Sequence, residues 1–405
     1  MGAVTDVRPR ALRRARGLTA ALARVPLSGF GAVVLVLAGV LVLAARRLGW
    51  VELAVPAAAL LGALLAGAVL AVGRSTYEMD LDMSDRRVTV GDRAVGRIVV
   101  RNASRRRLLP AHIELPVGKG SADFPLPSLG PGGAHEEVFA IPTTRRAVVT
   151  VGPVRSVRGD PLGLVRRRLQ WTEGVELYVH PRLVSLAGAA SGVLRDLEGQ
   201  ATRVISDSDL SFHALRDYVA GDDRRHIHWR STARMAKLMV RQFEDTRRTH
   251  TVIALATDPG DYADADEFEV AVAAAASIGV QAIRDERELT VLAGDDALRT
   301  DTPGRLLDDV SGLEAADGGH DGASLGRWVA REVPSATVAI LITGSVPSTS
   351  TLQATAVHLP SGVRTLILAV DALSDGEVAT HERLSLARIG SLLDLPRILR
   401  RVAVG

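Results

Sequence analysis

The sequence predicts three parts in chain order: a membrane α-hairpin, a β-sandwich and a doubly wound α/β domain. Two apolar stretches near the N-terminus carry no charged residue. Between residues 77 and 181, short runs of β-branched residues are separated by turn-forming residues, which is typical of an immunoglobulin-like sandwich. From residue 245 onward, apolar runs alternate with helical patterns, which favours a sheet covered by helices.

The composition excludes several classes of protein. The chain has 405 residues, enough for two or three domains, and a formal net charge of +3. This near balance gives no overall field that would favour nucleic acid as a partner. Cysteine is absent, which excludes disulfides, thiolate metal sites and cysteine nucleophiles and fits a reducing compartment.

The first apolar stretch covers residues 27–45 and the second covers residues 53–73. A membrane-spanning helix needs roughly 20 apolar residues, so the two stretches predict a two-pass hairpin in the lipid bilayer. A cleaved signal peptide and a buried soluble helix are the alternatives. No small-residue cleavage site follows the first stretch, and the second is too long for a signal core.

The arginine distribution predicts the orientation of this hairpin. Residues 1–26 form a basic segment with six arginines, whereas the connection between the spans holds Arg46 and Arg47. The positive-inside rule therefore places the N-terminus and everything after Arg74 in the cytoplasm, beside the plasma (inner) membrane. Arg46 and Arg47 oppose this orientation.

Residues 77–181 are the predicted β-sandwich, and residues 182–211 are a predicted polar linker. Two arginine runs stand out, at residues 105–107 and 166–168. They are typical of solvated loops or of protection for an edge strand. Contact with anionic lipid headgroups is the alternative.

Residues 212–244 concentrate the polar chemistry of the chain and contain a recognisable pattern. The residues that carry it are Leu215, Arg216, Asp217, Tyr218, Gly221, Asp222, Asp223, Arg225, Ile227, Trp229, Ala233, Arg234 and residues 240–244. At this spacing they closely resemble the signature of the DUF58 family. That resemblance implies partnership with a MoxR-type AAA+ ATPase and a von Willebrand factor A-like domain over residues 245–405.

Residues 160–164 also resemble a recurring DUF58 feature upstream of the signature. Asp160 followed by Pro161 is a candidate site, but an aspartate-capped turn with a proline-fixed backbone is the simpler interpretation.

Strands and helices alternate in the C-terminal domain. Residues 249–256 are predicted to pair with a strand at residues 238–243, and residues 384–389 and 395–402 are predicted to be closing helices. Domains of the von Willebrand type often bind Mg²⁺ through an Asp-x-Ser-x-Ser motif after the first strand. Here Ala256 or Asp258 occupies the leading position, and the serines are missing. No metal site is predicted, with Asp258 as the weak candidate ligand.

The signature allows an enzymatic and a structural interpretation. As an enzyme site, Asp217, Asp222 and Asp223 would be acids or metal ligands. However, no nucleophile with a matching base is apparent, and no phosphate-binding or dinucleotide-binding loop is present. The alternative is a half-buried ion network of these aspartates with arginines, above Trp229 and Tyr218. Asp223, Arg225 and Trp229 are assigned to structure, and Arg216, Asp217 and Arg234 to partner contact.

The sequence therefore predicts a membrane-anchored, cytoplasm-facing scaffold or adaptor that is not an enzyme and needs no cofactor. A metal-dependent hydrolase that uses the signature carboxylates is the alternative.

Overall fold

The computed structural model describes residues 27–71, 77–108, 110–160, 162–186, 205–206, 211–219, 222–244 and 249–404. The chain divides into two compact units, each described here by itself. The first comprises Met1–Val88, Asp92–Thr143 and Val149–Leu177. The second comprises Thr89–Gly91, Thr144–Val148 and Tyr178–Gly405.

Two long apolar helices begin the described chain. Helix α1 spans Gly29–Leu48, a 3-10 turn spans Val51–Leu53, and helix α2 spans Ala54–Ala71. Ser28 caps α1, because its side chain accepts a hydrogen bond from the Gly31 N–H. Gly49 ends the helix in a left-handed conformation, which glycine adopts without steric cost. By length and composition, both helices are able to cross a membrane.

Ten strands make up the β-rich region. They are β1 (Tyr77–Met83), β2 (Arg87–Thr89), β3 (Arg93–Asn102), β4 (Ala111–Val117), β5 (Gly120–Leu126), β6 (Ala134–Pro142), β7 (Ala147–Val151), β8 (Arg155–Gly159), β9 (Arg166–Gln170) and β10 (Val175–His180). One sheet has the order β1-β3-β6, and the other has the order β2-β10-β7-β4-β8-β9 with β5 paired to β4. Strand β9 lies at the edge of its sheet, as its arginine run predicts.

The signature lies on a small antiparallel sheet of its own. Strands β11 (Ile205–Ser206), β12 (Ser211–Asp217) and β13 (Met239–Glu244) have the order β11-β13-β12. Between β12 and β13 the chain forms a 3-10 turn at Arg224–His226 and helix α3 at Trp229–Met235. Strand β11 therefore lies within the predicted linker, most of which is outside the described residues.

The C-terminal region contains a seven-stranded sheet and five helices. The strands are β14 (His250–Leu255), β15 (Glu288–Ala293), β16 (Asp296–Leu298), β17 (Val338–Thr343), β18 (Arg364–Val370), β19 (Glu377–His381) and β20 (Leu384–Ile389). The helices are α4 (Ala265–Arg284), α5 (Pro303–Ser311), α6 (Leu325–Glu332), α7 (Thr349–Ala356) and α8 (Leu395–Val404). The sheet order is β16-β15-β14-β17-β18-β20-β19. Its five inner strands are parallel, and β16 and β19 are antiparallel edges.

Both faces of this sheet are covered by helices. On one face, Ile253 and Ile340 belong to a buried cluster with Ile278 of α4. On the other face, Leu341 belongs to a buried cluster with Val329 of α6. Strands buried on both faces explain the continuous apolar runs in the sequence.

Two predictions about local structure are wrong. Residues 384–389 form strand β20 rather than a helix, and their burial alternates with the period of two that a strand requires. Residues 249–256 do not pair with residues 238–243: β14 pairs with β15 and β17, and β13 pairs with β11 and β12. The fully apolar β14 is suited to the centre of a sheet covered on both faces.

Candidate functional site

The signature begins with a turn that is fixed by one ion pair. The Arg216 guanidinium donates to both carboxylate oxygens of Asp222, at 2.7 Å from Nη1 and 2.6 Å from Nη2. The same carboxylate accepts the Val219 N–H at 2.8 Å. Donation by Arg216, followed by the Val219 N–H, lowers the pKa of Asp222 below its ordinary value. This bidentate geometry holds the end of β12 and the following turn in one arrangement.

Two caps shape the next segment. The Asp223 carboxylate accepts the Arg225 N–H at 2.9 Å and so caps the 3-10 turn, in agreement with the assignment of Asp223 to structure. The His228 ring accepts the Ser231 N–H at the start of α3. The backbone N–H of His228 donates to the Met239 carbonyl at 2.8 Å, which connects the start of the helix to β13.

The predicted ion network is wrong in its extent. Of its predicted members, Arg216 and Asp222 pair with each other. Asp217, Asp223, Arg225 and Arg234 are exposed. Water can therefore solvate each of these four charged side chains, so none of them needs an ion-pair partner.

The predicted packing of Trp229 is also wrong, because this side chain is 66% exposed. Ile227, Met239 and Val240 are buried instead, and Ile227 forms a bridge to Val240. Tyr218 is half-buried, and Gly221 lies outside the described residues.

The exposed side chains of this segment form a distinctive set, called here the exposed signature set. Its members are the large apolar residues Val219, Trp229, Met235 and Leu238 and the cationic residues Arg224, Arg225, Arg230, Arg234 and Lys237. Arg230 and Arg234 are four residues apart on α3 and so lie on one side of that helix. Large apolar side chains and arginines in solvent are the composition of a surface that binds another protein.

A second polar cluster lies after β14 and β17, where the parallel strands end. Asp261 accepts the Gly322 N–H at 2.6 Å and the Thr343 hydroxyl at 2.8 Å. Burial raises the pKa of Asp261 above its ordinary value and outweighs these two hydrogen bonds, which lower it. Asp261 therefore joins three segments of chain at the carboxyl end of the sheet.

Glu267 makes a parallel connection nearby. This buried carboxylate accepts the Ala263 N–H and the Ser345 hydroxyl, both at 2.9 Å. Asp261 and Glu267 are not among the site residues predicted from the sequence. One sequence signal could have indicated them: both carboxylates follow a fully apolar strand, and they lie three and nine residues after Asp258.

Asp258, the weak metal candidate, accepts the Gly260 N–H at 2.7 Å and caps a 3-10 turn at Pro259–Asp261. Among the described residues, no group of three or more His, Asp or Glu side chains is arranged to hold a metal ion. The signature carboxylates also do not converge, since Asp222 is held by Arg216 and Asp223 faces the Arg225 N–H.

Comparison with protein families identifies the signature segment. A family model described as "Protein of unknown function DUF58" matches residues 214–306. This match confirms the resemblance carried by the signature and assigns this part of the chain to the DUF58 family. No curated protein matches the chain.

Solved structures give weak likenesses. A CARDB domain from Pyrococcus furiosus is 13% identical, with 26% of this chain and 97% of that chain covered and a TM-score of 0.20. The C-terminal domain of wzt is 9% identical, with 27% and 77% covered and a TM-score of 0.21. The alkylpurine DNA glycosylase AlkC of Pseudomonas fluorescens is 16% identical, with 34% and 40% covered and a TM-score of 0.20. Such low scores carry no argument about fold or function.

Proposed function

We propose that this chain is a membrane-anchored adaptor that binds a MoxR-type AAA+ ATPase through the exposed signature set. The observation that carries the proposal is the solvent exposure of Trp229, at 66%, beside exposed arginines. Tryptophan and arginine dominate the binding energy of protein interfaces. A tryptophan that serves folding alone is usually buried.

The local scaffold suits a docking role. The Arg216–Asp222 pair and the His228 cap fix the backbone around the exposed signature set. A surface that is ordered before binding loses less entropy when a partner arrives. Arg225, Arg230 and Arg234 favour an acidic patch on that partner, since opposite charges accelerate association and fix orientation.

The proposed anchor is the hairpin of α1 and α2, with two passes and both soluble parts in the cytoplasm. The arginine-rich segment before α1 supports this orientation. The proposed role is binding rather than turnover, and assembly or maturation of another complex is the process that fits an adaptor beside an ATPase.

We also propose the finer fold assignments: an immunoglobulin-like sandwich for the β-rich region and a von Willebrand factor A-like fold for the C-terminal region. The strand order β16-β15-β14-β17-β18-β20 supports the second assignment, because it is the 3-2-1-4-5-6 order of doubly wound sheets.

The test of the adaptor role is recovery of the ATPase with the full-length chain from native membranes. Trp229→Ala should reduce the amount of MoxR-type ATPase recovered, and Arg234→Glu should reduce it most strongly at low salt. Leu373→Ala is the matched control, since Leu373 is 96% exposed and lies outside the signature. All three variants should melt like the parent. Equal recovery of the ATPase with the parent and Trp229→Ala would refute the proposed docking site.

A further inference from the structure

In the connection between β8 and β9, one carboxylate holds several described residues together. Asp160 accepts the Val165 N–H at 2.6 Å and the Leu162 N–H at 3.0 Å, which confirms the predicted aspartate-capped turn. Burial opposes ionisation of this carboxyl group, but the backbone N–H groups outweigh burial, so its pKa lies below the ordinary value. The loop is therefore held in one shape by a charged, buried residue.

This loop is seated on both helices of the apolar hairpin. The Leu164 carbonyl accepts the Ser28 N–H at 3.0 Å and the Ser28 hydroxyl at 3.1 Å, immediately before α1. A side chain at Gly31 would collide with the same carbonyl. On α2, a Cβ atom at Gly67 would lie 3.2 Å from the carboxylate carbon of Asp160. Glycine at these two positions lets the loop approach both helices closely.

The contact extends into the apolar part of the hairpin. Leu164 and Val165 form a buried cluster with Val34 of α1 and Leu64 of α2. Val34 lies about 8 Å along the helix axis from Gly29. Amphipathic segments that lie in the membrane interface are buried to about 5–10 Å, so the loop contacts the hairpin at interfacial depth.

Two further features fit a lipid environment around this loop. Leu162 is 64% exposed, whereas Asp160 and Leu164 in the same connection are buried. Strand β9 begins directly after the loop with Arg166, which is exposed, and Arg167, which is half-buried. Arg168 is already paired with Glu114 at 3.0 Å. Within the described part of the chain, no ion pair holds Arg166 or Arg167. An exposed apolar residue followed by these two arginines matches the change from acyl chains to anionic headgroups.

We propose that the β8–β9 loop inserts into the membrane interface beside the hairpin, with Leu162 in lipid and with Arg166 and Arg167 on anionic headgroups. The inference rests on the membrane anchoring proposed above. It adds a second membrane contact, made by the β-rich region, beside the contact made by the spanning helices.

The chain has no cysteine, so single cysteines can be labelled specifically. Full-length Leu162→Cys carries an environment-sensitive fluorophore and is placed in lipid nanodiscs that contain either zwitterionic lipid alone or added phosphatidylglycerol. Nitroxide-labelled lipids report contact with acyl chains. Val36→Cys, at an exposed position within α1, reports anchoring, and Leu373→Cys serves as the aqueous control.

The inference predicts that shallow nitroxide lipids quench the labels at Leu162→Cys, that deep nitroxide lipids quench the label at Val36→Cys, and that neither quenches Leu373→Cys. If Val36→Cys is quenched but Leu162→Cys behaves like Leu373→Cys, the inserted loop is refuted and the anchoring stands. If neither Val36→Cys nor Leu162→Cys is quenched, both proposals fail.

The proposed contact of Arg166 and Arg167 with anionic headgroups is tested separately, by the effect of phosphatidylglycerol on quenching. Phosphatidylglycerol should increase quenching at Leu162→Cys, and the double substitution Arg166→Gln with Arg167→Gln should abolish that increase. An increase that survives the double substitution would refute the role of these arginines while leaving the insertion of Leu162 intact.

Discussion

Arg216 and Asp222 form a two-point ion pair across the turn that follows β12, with oxygen–nitrogen distances of 2.6 and 2.7 Å. The pair is part of the sequence signature, yet it lies among exposed residues rather than in a core. Its structural effect is to fix the turn from which the exposed signature set begins.

The first prediction concerns the pH dependence of this pair. Because the folded-state pKa of Asp222 lies below the ordinary aspartate value of about 3.9, its contribution to stability is present above that value. The contribution is lost as pH falls through the folded-state pKa. Asp222→Asn should therefore lower the melting temperature near pH 7, and the difference from the parent should shrink towards about pH 3. Asp217→Asn is the control, because Asp217 is exposed and should show no difference at either pH.

The second prediction separates packing from docking within the signature. Ile227 is buried, so Ile227→Ala should destabilise the fold by about 2–5 kcal/mol. Trp229→Ala should change the free energy of unfolding by less than about 0.5 kcal/mol, because the side chain is exposed. Chemical denaturation measures both. A larger cost for Trp229→Ala than for Ile227→Ala would contradict the burial of Ile227 and the exposure of Trp229.

The third prediction concerns the seat of the β8–β9 loop on α1. Gly31→Ala would push a methyl group into the Leu164 carbonyl and should cost about 1–3 kcal/mol, the usual range for overpacking. Gly39→Ala on the same helix meets no atom within 4 Å and is the matched control. Thermal melts in nanodiscs compare the two variants. Equal melting temperatures would mean that the loop does not depend on the close approach.

The fourth prediction concerns Asp261. Removal of its carboxylate by Asp261→Ala leaves the Gly322 N–H and the Thr343 hydroxyl without their acceptor, and each loss should cost about 1–3 kcal/mol. Asp261→Asn keeps one acceptor oxygen and should cost less.

The two Asp261 variants also differ from the parent in their pH profiles. Since the folded-state pKa of Asp261 is raised, its favourable contribution is complete below the ordinary pKa and is lost as pH rises through the folded-state value. Asp261→Asn should lack this dependence. A parallel pH profile for parent and Asp261→Asn would argue against the raised pKa.

The fifth prediction concerns membrane topology. A reporter fused after Gly405 should be active when the reporter requires the cytoplasm, because the proposed orientation, based on the positive-inside rule, puts this end of the hairpin there. Added arginines between Arg47 and Glu52 should weaken that preference. A fusion that is active solely outside the cytoplasm would overturn the orientation.

Periodicity predicted much of the fold, and the places where it failed have physical reasons. The sequence predicts a helix at residues 384–389, because a short apolar run fits the helical period of 3.6 residues as well as the strand period of two. Its pairing with β18 makes it a strand. The exposure of Trp229 could not be read from composition, because a tryptophan in a polar segment fits both burial and docking. Asp261 was missed because its partners, Gly322 and Thr343, are 61 and 82 residues away in the chain.

Because Gly31 and Gly67 let the β8–β9 loop approach α1 and α2 closely, other apolar helices could not replace this hairpin without changing that contact. A chimaera in which α1 and α2 are replaced by unrelated spanning helices would keep the chain at the bilayer but would present bulky side chains to the β8–β9 loop. Such a chimaera would lose the fixed attachment of the β-rich region to its own helices. The helices proposed as the membrane anchor therefore also position the β-rich region, so the two roles are not separable modules.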